Sequence, residues 1–289
     1  MRAVGCRRLT IMVVPMLLVC LTARAETAVE RGAYLVTTIG ACGNCHSPRD
    51  ATGQIAPGTE LSGGFSFDDD VGRVVGPNIT PDHETGIGAW TDSQIIAALR
   101  EGRRPDGTTI GPPMPIPAYR ELSDGDATAI AAYLRSLPPV RHAVARTHYA
   151  IPLPPSYGPP VAHVAEPKRD DKIAYGRYLA TFGHCVLCHT PPGGGKPFDM
   201  TRAFSGGRQL PDLVHPGAQI PSRNITSDPQ DGIGKWTDDQ VRRGTVEGVR
   251  PDGSKLVRTM PFDWYVNMSG TDVDAIVAFL RTVPPIHSR

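Results

Sequence analysis

Past its first residues, the sequence has no apolar run near the roughly twenty residues that a membrane-crossing helix needs. The remainder is therefore expected to be soluble, or held at a membrane only by a partner. Nor does it carry an excess of charge of one sign: 30 basic and 29 acidic residues give +1. That balance argues against nucleic acid, which calls for a basic stripe or patch. Two-residue hydrophobic alternation is nearly missing, so strands are not expected. At 289 residues the chain is long for one domain and comfortable for two.

The start of the chain is different. Arg2, Arg7 and Arg8 precede an apolar stretch from Leu9 to Leu21, followed by Ala23-Arg24-Ala25. A basic start, a short apolar run and a small-x-small site describe a secretory signal peptide cut after Ala25. The run is short for a membrane anchor and contains Pro15, and Val19 before Cys20 does not suit a lipoprotein site. The expected location is the periplasm. Without residues 1–25 the chain has 26 basic against 29 acidic groups, a mildly acidic −3.

Cysteine usage is the most informative feature. Cys6 and Cys20 lie in the leader, and the other four form Cys42-Gly43-Asn44-Cys45-His46 and Cys185-Val186-Leu187-Cys188-His189. Four cysteines in an exported chain ordinarily suggest disulfides. C-x-x-C-H is instead the attachment signature of c-type haem: two thiols at this spacing each add to one vinyl group, and the adjacent imidazole reaches the iron. A thioredoxin-like pair or half a zinc site are the other readings of C-x-x-C. Two copies, each followed by His and together using every cysteine past the leader, favour two haem c groups. Cys42, Cys45, Cys185 and Cys188 are then the attachment points, with His46 and His189 as proximal ligands.

An internal repeat sets the organisation. Asn78-Ile79-Thr80 through Trp90-Thr91 returns as Asn224-Ile225-Thr226 through Trp236-Thr237, 146 residues later. Arg104-Pro105-Asp106-Gly107 matches Arg250-Pro251-Asp252-Gly253, and Met114-Pro115 matches Met260-Pro261 in the same register. Residues 26–140 and 171–289 are read as duplicated domains. Residues 141–170 hold six prolines and read as an extended linker, laid over or between the domains.

Helices are expected from about Val29 to Ile39 and from Ile173 to Phe182, leading into the two cysteine motifs. Gly32-x-Tyr34 and Gly176-x-Tyr178 would let helices cross closely. Thr91 with Gln94, and Thr237 with Gln240, are capping boxes. Ser123 and Ser269 cap the last helix of each half, whose apolar residues Ile130, Tyr133, Leu134 and Leu137 recur at helical spacing.

This order of helix, C-x-x-C-H, loops, methionine and C-terminal helix resembles a class I cytochrome c in each half. The fold expected is all-α, two tandem class I cytochrome c domains with one covalent haem apiece. More narrowly, the Asn-Ile-Thr, Gly-Ile-Gly-x-Trp-Thr, Pro-Asp-Gly and Met-Pro segments resemble the multihaem cytochrome c subunit of membrane-associated alcohol, aldehyde and gluconate dehydrogenases. Those subunits commonly carry three haem motifs, and this sequence carries two. The resemblance implies an electron carrier that takes electrons from a dehydrogenase and passes them to a cytochrome, oxidase or other respiratory acceptor. A dihaem enzyme, peroxidase-like or thiosulfate-oxidising, is the alternative. It would need an open iron or a spare cysteine.

The distal iron ligand of the first domain is expected to be Met114, the one methionine between the leader and the second domain. Repeat register selects Met260 for the second, with Met268 read as core and Met200 as a loop residue. His184 has no counterpart, since Ala41 holds its place, and is expected at the surface. His83 reads as a solvated loop residue; His142, His148 and His163 lie in or beside the linker. Asp68-Asp69-Asp70 reads as a wet loop able to meet a basic partner. Asn78 and Asn224 match the glycosylation sequon, but a structural turn explains them better. Trp90 and Trp236 are expected in the core or near the haem.

Overall fold

The computed structural model describes residues 24–288 apart from residues 196, 213, 214 and 216. The expected leader, residues 1–25, falls almost wholly outside the described residues. In chain order the elements are α1 (Ala28–Thr37), α2 (Gly43–His46), β1 (Ser66–Asp69), β2 (Gly72–Val75), α3 (Asp92–Glu101), α4 (Ile116–Tyr119) and α5 (Asp124–Ser136). They continue with β3 (His148–Tyr149), α6 (Lys172–Phe182), α7 (Cys185–Cys188), β4 (Gln209–Pro211), β5 (Gln219–Pro221), α8 (Asp238–Val246), α9 (Phe262–Tyr265) and α10 (Gly270–Thr282).

The helix starts follow from local chemistry. Thr91 and Thr237 each form a full capping box with Gln94 and Gln240. Ser123 and Ser269 accept from the backbone N–H three residues on. These side chains satisfy amide groups that the first helical turn leaves without partners. Thr27 and Glu30 add a third capping box at α1.

Packing rests on two helix crossings, α1 on α5 and α6 on α10. At Gly32 an added Cβ would lie 1.9 Å from Ala129 O, and at Gly176 it would lie 1.8 Å from Ala275 O. Only glycine lets the backbones meet this closely, as the sequence implied.

The two halves exchange contacts reciprocally. Tyr34 Oη of the first half donates to Asp272 Oδ2 of the second (2.7 Å) and accepts from Ser269 N (3.0 Å). Tyr178 Oη of the second half donates to Asp126 Oδ2 of the first (2.7 Å) and accepts from Ser123 N (3.3 Å). Each tyrosine thus ties down the start of the other half's last helix. Burial pushes Tyr34 up to about 12. Burial, then the Asp126 carboxylate, pushes Tyr178 higher still, so both remain neutral donors. Asp126 also holds Arg31 through a two-pronged buried ion pair at 2.7 and 2.9 Å. Buried apolar residues of both halves form one continuous cluster.

The all-α expectation needs correcting, because the helices are joined by short strands. β1, β2 and β3 form a three-stranded antiparallel sheet, and β4 pairs with β5. Segments of two to four residues are too short to display a two-residue period. β2 also finds its partner some 75 positions away, with Gly72 opposite Tyr149. The residues read as a wet Asp loop end β1, where Arg73 pairs with exposed Asp68 at 3.1 Å. Residues 141–170 contribute β3, which pairs with β2 of the first half. Asn78 and Asn224 are buried, and each oxygen accepts from the Thr two residues on (2.9 Å). That is the structural turn.

Gly176→Ala is expected to lower stability by about 1–3 kcal/mol through overpacking. Gly194→Ala, where an added Cβ meets nothing within 4 Å, should stay within about 0.5 kcal/mol. Urea unfolding midpoints of the two variants check the contrast.

Candidate functional site

In both cysteine motifs the chain makes a single helical turn. His46 N donates to Cys42 O and His189 N to Cys185 O, each at 2.9 Å. Positions i, i+3 and i+4 share a helix face, so the two sulfurs and the imidazole of each motif project to one side. All four thiols are free and half-buried. Burial pushes Cys42 and Cys185 up to about 12 and Cys45 to about 11. A redox-active Cys-x-x-Cys pair needs a lowered thiol pKa, so the thioredoxin-like reading loses its chemistry. The zinc reading fares no better. Among the described residues, the one group of potential ligands within reach of each other is Asp228, Asp231 and His287, with no cysteine.

The imidazole of each motif is fixed by backbone. His46 Nδ1–H donates to Pro77 O at 2.9 Å, and His189 Nδ1–H to Arg223 O at 2.6 Å. A carbonyl can only accept, so the proton sits on Nδ1 and Nε2 keeps its lone pair. This is the outer bond that orients a metal-ligating histidine. Burial lowers both imidazoles below the usual range, which keeps that lone pair available. Gly63 N and Gly206 N, both in left-handed backbone, bind the His46 and His189 carbonyls at 2.7 Å. Gly76 packs so tightly on the first motif that a Cβ would lie 1.9 Å from Cys45 O.

The methionines differ in burial. Met114 and Met260 are half-buried against the core, and each precedes a proline and a four-residue helix, α4 or α9. Met268 is core, while Met200 is 58% exposed. Met260 and its loop close on themselves as Met114's do: Ile110 N donates to Gly102 O at 2.6 Å and Leu256 N to Gly248 O at 2.7 Å. Large apolar side chains on the same cluster stay half-buried too, among them Ile79, Leu99, Ile225 and Phe279. Two thiols, one oriented imidazole, a thioether and apolar neighbours in each half fit a covalently attached haem.

Aromatic side chains of each half reach the segment at the other half's cysteine motif. Gly43 abuts Trp264, whose Nε1 would lie 3.1 Å from an added Cβ, and the Arg49 guanidinium sits 5.7 Å from the Trp264 ring. Tyr119 packs 5.3 Å from Phe182, and Tyr265 Oη donates to Gly183 O at 2.7 Å. Tyr119 and Tyr265 are 146 apart, so the repeat could have flagged them. Trp264 aligns with Ala118 and offered no such signal.

His184 is not the surface residue expected from sequence. It is half-buried in left-handed backbone, and its Nε2 shares a 2.7 Å hydrogen bond with Tyr119 Oη. The reciprocal pair is missing because Ala41 stands where the second half has His184, and Tyr265 bonds Gly183 O instead. His83 is exposed as expected, His148 and His163 are exposed too, and His142 Nδ1 donates to Ser62 O at 3.0 Å. Trp90 and Trp236 pack on the core, half-buried.

Burial lowers His184 to about 4 from an ordinary 6.5. Above pH 6.5 it is neutral whether folded or not. Between 6.5 and 4 the unfolded chain binds a proton that the folded chain does not, so stability falls with pH across that window. His184→Asn, which suits left-handed backbone, should remove that part of the decline. Urea unfolding at pH 7 and pH 5, compared between the two proteins, checks it.

Comparison with known proteins adds the following. A family model described as Cytochrome c matches residues 29–138. The chain is 31% identical over 284 residues to the cytochrome c subunit of alcohol dehydrogenase (quinone) from Komagataeibacter europaeus, spanning 92% of this chain and 58% of that one. It is 33% identical over 237 residues to the gluconate 2-dehydrogenase cytochrome c subunit of Pantoea cypripedii, spanning 75% and 50%. With a diheme cytochrome c-type protein of Cereibacter sphaeroides the identity is 31% over 261 residues, spanning 86% and 83%. The chain therefore covers only about half to three-fifths of the dehydrogenase subunits.

Proposed function

The chain belongs to the cytochrome c family, and from that premise we propose that it is a periplasmic dihaem electron carrier serving a dehydrogenase. One observation carries the reading: in each half, a single helical turn presents two free thiols beside an imidazole whose Nδ1 is tied to a backbone carbonyl. Cys42, Cys45 and His46 would hold one haem and Cys185, Cys188 and His189 the other, in domains 26–140 and 171–289 joined by residues 141–170. Haem bound there supplies a one-electron ferric/ferrous couple.

The side chains determine the rest. Met114 and Met260 would hold the irons through their thioethers, a ligand that would favour the ferrous form and raise the potential. The aromatic side chains Tyr119, Phe182, Trp264 and Tyr265 pack where the two halves meet beside the motifs. Both tyrosines stay protonated because burial pushes Tyr119 and Tyr265 far above the usual phenol range. Residues 26–140 carry 15 acidic and 8 basic groups, and residues 171–289 carry 12 and 14. The two domains would therefore steer partners of different charge. Among the described residues, no helix is long and apolar enough to cross a membrane; association with one would pass through a partner. The similarity to dehydrogenase subunits supports electron acceptance from such an enzyme and delivery to a respiratory acceptor.

Mass spectrometry of the exported polypeptide should find two haem groups attached. The ferrous protein should be low-spin and bind carbon monoxide poorly, while Met114→Ala and Met260→Ala should each open one iron to it. A single attached haem, or a largely high-spin wild type, refutes the proposal.

A further inference from the structure

The linker treats the two distal loops unequally. In the first half it crosses the loop leading to Met114. Tyr149 Oη accepts from Gly111 N at 3.0 Å, and Tyr157 Oη donates to Ile110 O at 3.0 Å. Gly111 is buried beneath the crossing: an added Cβ would lie 2.4 Å from Leu153 Cδ2 and 2.8 Å from the Tyr149 ring. The linker is itself anchored. Tyr149 pairs with Gly72 through β3, Arg146 pairs with Asp106 at 2.9 Å, and Pro159 O accepts from Arg120 Nη2 at 2.6 Å.

The second half has Val257 where the first has Gly111. Val257 is 41% exposed, and a side chain of that size could not sit under a crossing chain. The loop keeps the turn bond from Leu256 N to Gly248 O. Beyond it, Thr259 Oγ1 donates to Pro211 O at 3.2 Å and Arg258 pairs with Asp263 at 2.5 Å, both of them exposed side chains. Nothing comparable to Tyr149, Leu153 and Tyr157 closes over it among the described residues.

We propose that residues 149–157 form a strap holding the Met114 loop shut, so that Met260 is the distal methionine that an added ligand displaces first. The proposal rests on the reading of Met114 and Met260 as iron ligands. A distal methionine leaves an iron only when its loop swings away, and the strap adds its own contacts to the cost of that motion. Tyr149 and Tyr157 are thus positioning residues, acting through the Met114 loop. The displacing ligand is a small nitrogen base such as imidazole.

The test is an imidazole titration of the full-length ferric protein, followed by the methionine-to-iron charge-transfer absorption. Two phases are expected, with midpoints at least about tenfold apart, equivalent to about 1.4 kcal/mol. Met260→His should start at about half the wild-type absorption, lacking the first phase and keeping the second. Tyr149→Phe combined with Tyr157→Phe should move the second phase about tenfold toward lower imidazole and leave the first in place. A single phase, loss of the second phase in Met260→His, or an unmoved second phase in the double variant overturns the strap. Wild type and Met260→His decide the order even if the double variant fails to fold. Full starting absorption in Met260→His would instead remove Met260 as a ligand, and with it the reading on which the strap depends.

Discussion

Each half is organised by the contact of two helix backbones at a glycine. Gly32 against Ala129 and Gly176 against Ala275 bring the first and last helices together with no side chain between them. Everything else is placed by that crossing. The first helix ends where the cysteine motif begins, so its angle fixes where thiols and imidazole point. The last helix starts at Ser123 or Ser269, the positions that the opposite half's tyrosine grips. A close crossing leaves little freedom to slide, and the relation between the halves inherits that rigidity.

The electrostatics follow the same plan. The buried charged groups Arg31, Asp126 and Asp272 are each engaged at the junction: Asp126 holds Arg31 and Tyr178, and Asp272 holds Tyr34. A buried carboxylate is costly unless its oxygens are satisfied, and here the partners come from both halves. Loss of either tyrosine would leave a buried oxygen short of a donor. The junction is specific because its polar groups match in one arrangement.

Much of this was legible in the sequence, for physical reasons that differ by residue. Thr91 with Gln94 and Thr237 with Gln240 act over three positions, so local reading finds them. Gly32 and Gly176 were visible because duplication writes the same demand twice. Met114 and Met260 share the repeat register and lie half-buried on the core, and Asn78 and Asn224 resolve as buried turn residues. What escaped was non-local or unrepeated. β2 pairs with a linker segment that no periodicity marks. His184 and Trp264 stand opposite Ala41 and Ala118, and their contacts reach across the junction, where a register derived from one half carries no information. Thr27 with Glu30 was local and readable but went unnoticed beside the stronger signals.

The reciprocal grip of Tyr34 and Tyr178 has the form of an isologous interface, in which one patch meets its own copy about a twofold axis. The symmetry stops at that grip. Tyr175 stands where the first half has Arg31, His184 where it has Ala41, and Val257 where it has Gly111. The shared junction therefore joins two ends with different surfaces, and a partner that recognises one end need not fit the other.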